Sequence, residues 1–190
     1  MQPADFGHLF ASHGSDKTWH KYHLLYPNLI QGRTIKRFLE LGLYLRGDDR
    51  TELHAWAQIF PDAEIIGADI LYHPTTDTDR ITTHGFDQRN PNSIALLAEA
   101  IGPNIDFIVD DASHLTELTI NTIRGLHHLV TPGGLYVIED VRHEHFKALD
   151  CHTVEELGPV IDELGYRWEI ITGKPDEGTA HNSFLIVVYC

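Results

Sequence analysis

The sequence predicts an α/β fold, a mostly parallel sheet with helices on both faces, and three observations carry that prediction. Apolar, β-branched runs alternate with helical stretches along most of the 190 residues, the pattern of repeated βαβ units. Two of those runs, IDFIVDD from Ile105 and GGLYVIED from Gly133, each stop on a pair of acids, as buried parallel strands do when their carboxyl ends open into a site. The last two runs, Trp168 to Thr172 and Ser183 to Tyr189, are joined by Gly173 to Asn182. That loop leaves no room for a crossover helix, so the final pair must be antiparallel.

Met1 to Arg33 precede the first strand and read as a helical cap, with Pro27 ending or bending its second piece. The cap carries Gly14-Ser15-Asp16-Lys17 and then Trp19, His20, Tyr22 and Tyr26. On pattern alone this is equally a helix N-cap with a half-exposed face or a surface turned to a ligand. Thr34 to Leu43 form the first strand, followed by a helix from Thr51 to Phe60 with Leu53, Trp56 and Phe60 inward. Glu40 and Gly42 stand at the turn between them, where a backbone can approach a ligand closely. The stretch Gly42 to Asp48 lacks the GxGxxG pattern, which argues against a pyrophosphate cradle. For Gly42 by itself a tight turn without a ligand is the simpler account.

Ala63 to Ile70 are the second strand and end on Asp69, an acid placed to accept hydrogen bonds from a ribose diol. Arg80 to His84 make a short third strand running into Gly85-Phe86-Asp87-Gln88, where Asp87 and Gln88 are candidates to read an adenine edge. Asn90-Pro91-Asn92 introduces a helix from Ser93 to Ile101. Between strands four and five the helical stretch puts Leu115, Leu118, Leu126 and Leu129 on one face and is closed by Pro132-Gly133-Gly134. The helix from Thr153 to Leu164 opens with a capping box, Thr153 and Glu156, is interrupted early by Gly158-Pro159 and ends before Gly165.

If strands four and five are neighbours, the right-handed crossover sets Asp110, Asp111, Glu139 and Asp140 at one sheet edge, with His114 beside them. Converging like charges are costly unless protons or a cation neutralise them, and a hard divalent ion, Mg2+ above all, is the economical explanation. A helix N-cap at Asp111 and a charged loop at Glu139-Asp140 explain the same acids equally well. His114 alone reads as an ordinary histidine ahead of a helix. His143 and His145 around Glu144 read as an exposed loop rather than a zinc site.

The chain has 28 acidic against 14 basic residues, a formal charge of -14. That balance argues against nonspecific nucleic-acid binding and anionic membrane surfaces, and favours small-molecule partners. Two cysteines, Cys151 and Cys190, give no disulfide framework and suit a reducing compartment. With no signal pattern and no apolar run approaching about 20 residues, the expectation is a cytoplasmic protein of one domain, residues 1–190.

The architecture resembles the Rossmann-like class I S-adenosylmethionine (SAM) dependent methyltransferases, which implies seven strands in the order 3-2-1-4-5-7-6. More specifically, Glu40-Leu41-Gly42, Phe60-Pro61-Asp62-Ala63, Gly67-Ala68-Asp69, Gly85-Phe86-Asp87-Gln88, Asp110-Asp111-Ala112-Ser113-His114 and Tyr136-Val137-Ile138-Glu139-Asp140 resemble the deoxysugar O-methyltransferases of macrolide tailoring, of the mycinamicin and tylosin type. Gly14-Ser15-Asp16-Lys17 and His20-Lys21-Tyr22 resemble that family's GTDK and HxY stretches. The resemblance implies Mg2+ held by Asp111, Glu139 and Asp140, with His114 as general base. It also implies SAM contacts at Glu40, Gly42, Asp69, Asp87 and Asp110, and it turns Lys17 and Gln88 toward the cofactor. The acceptor it implies is a hydroxyl of a sugar or sugar-like diol.

There are departures. Leu43-Tyr44-Leu45-Arg46 replaces the family's glycine-rich turn, Ala112 replaces its usual glycine, and Val141 to His145 replace the aromatic residues after the Glu-Asp pair. The additional N-terminal domain of longer members is not expected, and association into a homo-oligomer stays open. Two other readings also stay open: a SAM-binding protein of this fold that transfers no methyl group, and a metal-dependent hydrolase using the acids and His114.

Overall fold

The computed structural model describes residues 3–43, 51–71, 78–143, 151–172 and 184–190. Seven strands form one sheet: β1 (Arg37–Leu41), β2 (Glu64–Asp69), β3 (Ile81–Gly85), β4 (Ile105–Asp110), β5 (Val130–Val141), β6 (Arg167–Ile171) and β7 (Phe184–Tyr189). Their order is β3-β2-β1-β4-β5-β7-β6. The first five run parallel, and β7 pairs antiparallel with both β5 and β6. This is the predicted topology. The turn at Tyr44 to Arg46, His145 and the loop 173–182 lie outside the described residues.

Strand periodicity divides the core in two. Phe107 and Val109, Leu135 and Val137, and Leu185 and Val187 pack on one face. There they meet α1 (Pro3–Ser12), α2 (Tyr26–Ile30) and α3 (Thr51–Ile59) through Phe6, Phe10, Tyr26 and Trp56. Ile108, Tyr136, Ile138, Ile186 and Val188 face the other way, toward α4 (Pro91–Ile101), α5 (Thr116–Leu126) and α6 (Val154–Glu163). Successive side chains in a strand point to opposite faces, so continuous apolar runs are what a sheet covered on both sides requires. The α6 capping box is present, with the Thr153 hydroxyl accepting from the Glu156 amide at 3.3 Å.

Three local expectations are corrected. Pro27 lies in the first turn of α2 and starts that helix rather than ending one, because an N-terminal helical position needs no amide hydrogen. Pro132-Gly133-Gly134 lies inside β5, at a register irregularity opposite β4 between the Ile105–Val130 and Phe107–Leu135 pairs. The buried face of α5 is Thr119, Thr122, Ile123 and Leu126, while Leu115 is exposed and, with Leu118, lines a cavity. Two threonines occupy core positions there because their methyl groups pack while their hydroxyls find partners, Thr119 at His152 and Thr122 at the Leu118 carbonyl. Among the described residues no helix is long and apolar enough to cross a membrane.

Candidate active site

Strand alternation separates the four strand-end acids that the sequence analysis sets at one edge. Asp110 turns to the α4/α5 face, where it accepts from the Tyr136 hydroxyl at 3.0 Å and the Gln88 amide at 3.3 Å. Burial pushes its carboxyl up to about 6, against the Tyr136 hydrogen bond and the nearby His114. Glu139 turns to the cap face, where one oxygen accepts from Lys17 Nζ at 3.0 Å and the other from the Tyr26 hydroxyl. Only Asp111 and Asp140 meet in the open. With His114 they form a set in which one ligand atom from each lies within 4.8 Å of the others.

The two open acids are held alike. Asp111 gives Oδ2 to Lys17 Nζ at 2.8 Å and leaves Oδ1 facing His114 Nε2 at 3.7 Å. Asp140 gives Oδ1 to the Tyr22 hydroxyl at 2.6 Å and leaves Oδ2 facing His114 Nε2 at 3.8 Å. Burial opposes ionisation of Asp140, but His20, the Tyr22 hydroxyl and His114 outweigh it and hold its carboxyl below the usual range. His114 and Asp140 both take left-handed backbone, φ 56° and 55°. This region is uncommon outside glycine, although Asp and His enter it more readily than most, and such residues gather at functional sites.

The donor set suits a hard divalent cation. Mg2+ takes one or two carboxylates from a protein and fills its octahedron with water and substrate oxygens, and two acids each presenting one free oxygen are such a pair. His114, a softer nitrogen donor, fits proton transfer better than ligation. Both Glu139 oxygens are already engaged, one by Lys17 and one by Tyr26, which sets it back from the pair.

Gly42, Asp69, Asp87 and Gln88 line a cavity of about 310 Å³, together with Ile70, Phe86, Arg89, Ala112, Ser113, Leu115 and Leu118. Its walls are apolar side chains that can sandwich a flat ring, with acids at the rim. Asp69 accepts from the Leu43 and Leu71 amides at 2.7 Å each, so it ties both chain ends of that rim. Each of its oxygens keeps a further lone pair for a hydroxyl. Asp87 is held by Arg89 at 2.9 Å, and that hydrogen bond lowers its carboxyl pKa. The Gln88 amide donates to Asp110 and Thr122 and accepts from the Ser113 amide. It therefore braces the segment after β4, and its cavity-lining surface is what it offers to a ligand.

Lys17, Glu40 and Asp110, expected near the cofactor, lie behind the cavity wall. Lys17 is fully buried, within 3.4 Å of Glu40, 3.2 Å of Glu52, 2.8 Å of Asp111 and 3.0 Å of Glu139. Burial opposes its charge, but the carboxylates outweigh that and keep the ammonium protonated. Glu40 also accepts from the Trp56 indole at 3.0 Å, and burial followed by the charge of Glu52 pushes its carboxyl up.

Gly42 has φ 83°, and a Cβ there would stand 2.3 Å from the Asp111 carbonyl oxygen and 2.4 Å from Ala112 Cα. The close approach that this glycine permits is therefore to the β4 end, and it lets β1 and the Asp111 segment share the cavity wall. Gly42→Ala is expected to lose about 2 to 4 kcal/mol of stability, read as a lower urea midpoint. An unchanged midpoint would mean that the two segments do not approach.

From sequence, neither His152 nor Glu52 is a candidate, and Tyr26 enters only as part of the polar cap cluster. His152 is buried, with Nε2 2.8 Å from the Glu139 carbonyl oxygen, Nδ1 2.9 Å from the Thr119 hydroxyl and its own amide donating to the His114 carbonyl at 2.7 Å. It ties the β5 end to the His114 loop. Burial, helped by His114, pushes its imidazole down to about 4 from 6.5. Above pH 6.5 it is neutral whether the chain is folded or not. Between 6.5 and 4 only the unfolded chain takes up the proton, so stability falls with pH, and the loss, about 3 kcal/mol, is complete below 4. Urea titrations at pH 7 and 4.5 should show a smaller drop for His152→Gln than for the native chain. Equal drops would place the titration elsewhere.

No protein-family model matches the chain. Over 148 residues, 74% of the chain, the sequence is 35% identical to the 8-demethyl-8-(2-methoxy-α-L-rhamnosyl)-tetracenomycin-C 3'-O-methyltransferase of Streptomyces olivaceus, of which the match covers 37%. Over 89 residues, 47% of the chain, it is 37% identical to the mycinamicin VI 2''-O-methyltransferase of Micromonospora griseorubida, of which 22% is covered. The chain thus spans well under half the length of these relatives. Among solved structures, the MycE methyltransferase from the mycinamycin biosynthetic pathway, in complex with Mg and SAH, superposes with a TM-score of 0.73 at 21% identity, covering 97% of this chain and 55% of that one.

Proposed function

We propose that this chain, which has the class I methyltransferase fold and is similar in sequence to sugar O-methyltransferases of antibiotic pathways, is a SAM-dependent, divalent-metal-dependent O-methyltransferase. Its acceptor is a hydroxyl of a sugar or sugar-like diol. One observation supports this most: residues 111–115 serve two sites at once. Ala112, Ser113 and Leu115 line the nucleoside-sized cavity, while Asp111 and His114 belong to the acid cluster beside it. Such an arrangement sets a methyl donor and an activated hydroxyl next to each other. Methyl transfer from a sulfonium is an in-line displacement, so holding the three reacting atoms in line supplies much of the rate.

Asp69 and Asp87 would hold the cofactor, with Gly42 and Gln88 shaping its cavity. Asp111 and Asp140 would hold the metal, with Glu139 in reserve behind Lys17. A divalent ion bound there lowers the pKa of a hydroxyl it touches and orients it. His114, exposed enough to meet an acceptor, takes the proton. Lys17, Glu40 and Asp110 act from behind, fixing the acids that face the site. The 1–33 cap belongs to the same unit, since Tyr22, Tyr26 and Lys17 all donate to strand-end acids.

Incubation with SAM and a panel of L-rhamnosides and rhamnosylated polyketides, with and without Mg2+, tests this reading. S-adenosylhomocysteine release that needs both a diol acceptor and Mg2+ is the expected result. Cofactor binding with no release on any acceptor would instead point to the non-methylating reading.

A further inference from the structure

From its place between the strand-end acids, we propose that Lys17 is a resident cation that competes with the divalent ion for Asp111 and Glu139. It sets how tightly, and on which oxygens, the metal is held. The inference rests on the metal-dependent reading above and concerns a residue that the sequence resemblance turns toward the cofactor. Lys17 is completely buried and does not line the cavity bounded by Gly42, Asp69 and Leu118. Its ammonium sits 2.8 Å from Asp111 Oδ2 and 3.0 Å from Glu139 Oε2, and an oxygen bonded to an ammonium at that distance is a poor ligand for a second cation. The consequence is visible at Asp111, which presents Oδ1 alone to His114. Glu139 shows it too, with both oxygens engaged by Lys17 and Tyr26.

A competitor of this kind has a use. Four acids on the cap side of the sheet, Glu40, Glu52, Asp111 and Glu139, surround one ammonium. Without it the Asp111 and Glu139 oxygens it now holds would be open to a divalent ion on the cap side, away from the acceptor. With it, Asp111 Oδ1 and Asp140 Oδ2, the oxygens that face His114, are the favoured place. Lys17 is on this account a positioning residue, delivered by the Ser15-capped turn Asp16–Thr18.

The test compares the native chain, Lys17→Met, and the charge-balanced pair Lys17→Met with Glu52→Gln. The pair removes one positive and one negative charge together, in case the single variant does not fold. Mn2+ binding followed by electron paramagnetic resonance is the readout, alongside turnover, with thermal unfolding and SAM binding as checks on the fold. Lys17→Met is expected to bind Mn2+ about tenfold tighter or more, since a unit positive charge next to the site is gone, and the pair, whose net charge is unchanged, to bind it tighter as well because Asp111 Oδ2 and Glu139 Oε2 are freed, while turnover falls in both. A purely structural loss would weaken both. Unchanged or weaker Mn2+ binding in a folded variant overturns the proposal. If the native chain binds no Mn2+ at millimolar concentration but the variant does, the metal-dependent reading fails while Lys17 as the resident cation stands. Binding by neither overturns both.

Discussion

Replacing His114 by alanine is expected to lower turnover by roughly two to four orders of magnitude while leaving SAM affinity nearly intact, because a base acts on the chemical step and not on cofactor binding. The geometry supports both halves. The ring is partly exposed, and Nε2 stands 3.7 and 3.8 Å from the Asp111 and Asp140 oxygens, next to where an acceptor hydroxyl has to lie. The cavity is lined by its neighbours Ser113 and Leu115 rather than by His114. Loss of the ring therefore leaves the cofactor walls standing. A variant with normal turnover would remove His114 from the reaction and leave solvent as the proton acceptor.

The fold was legible because its signals are local. Runs of β-branched residues, their spacing, and a final pair joined without a crossover are properties of short windows, and together they constrain the sheet tightly. The acids at the ends of β4 and β5 were legible for the same reason. Their directions were less so. Adjacent residues of a strand point to opposite faces, which sends Asp110 to Tyr136 and Gln88 while Asp111 turns to Lys17. Applied to the Asp110-Asp111 pair, that rule argues against the convergence of all four carboxylates.

Other features had no local signal. Lys17, Tyr22 and Tyr26 donate to Asp111, Asp140 and Glu139 across 94 to 118 positions of sequence. Nothing near those residues announces such partners. The cluster of Lys17 with His20 and Tyr22 reads equally as an N-cap or as a ligand-facing surface, and only its resemblance to the GTDK and HxY stretches hints at a role in the site. Glu52 reads in sequence as an acid in the first turn of a helix, where it would complement the helix dipole from the surface. In the structure it is buried and accepts from the Ser15 hydroxyl at 2.6 Å. His152 follows a segment with no strong pattern, and only its contacts with Thr119 and Glu139 mark it as part of the site.

Activity should vanish in excess chelator and return with Mg2+, and Asp140→Asn should reproduce the chelated state at ordinary metal concentrations. Asp140 is the sharper choice of the two open acids because its Oδ1 is already held by Tyr22 and its amide donates to the same hydroxyl at 3.1 Å. An asparagine can keep those contacts by placing its carbonyl oxygen toward Tyr22, and the position toward His114 then carries an amide nitrogen that repels a cation. Loss of an outer-shell partner of a metal costs about tenfold to a hundredfold in affinity, so loss of a ligand oxygen should cost at least about a hundredfold. Calorimetry with Mg2+ reads that directly, and SAM affinity measured in parallel separates it from a folding defect. Asp111→Asn should behave in the same direction but also unsettle Lys17, so its stability should drop further than that of Asp140→Asn. Full activity of the native chain in excess chelator, or unchanged Mg2+ affinity in Asp140→Asn, would show that the acids meet for a reason other than a metal.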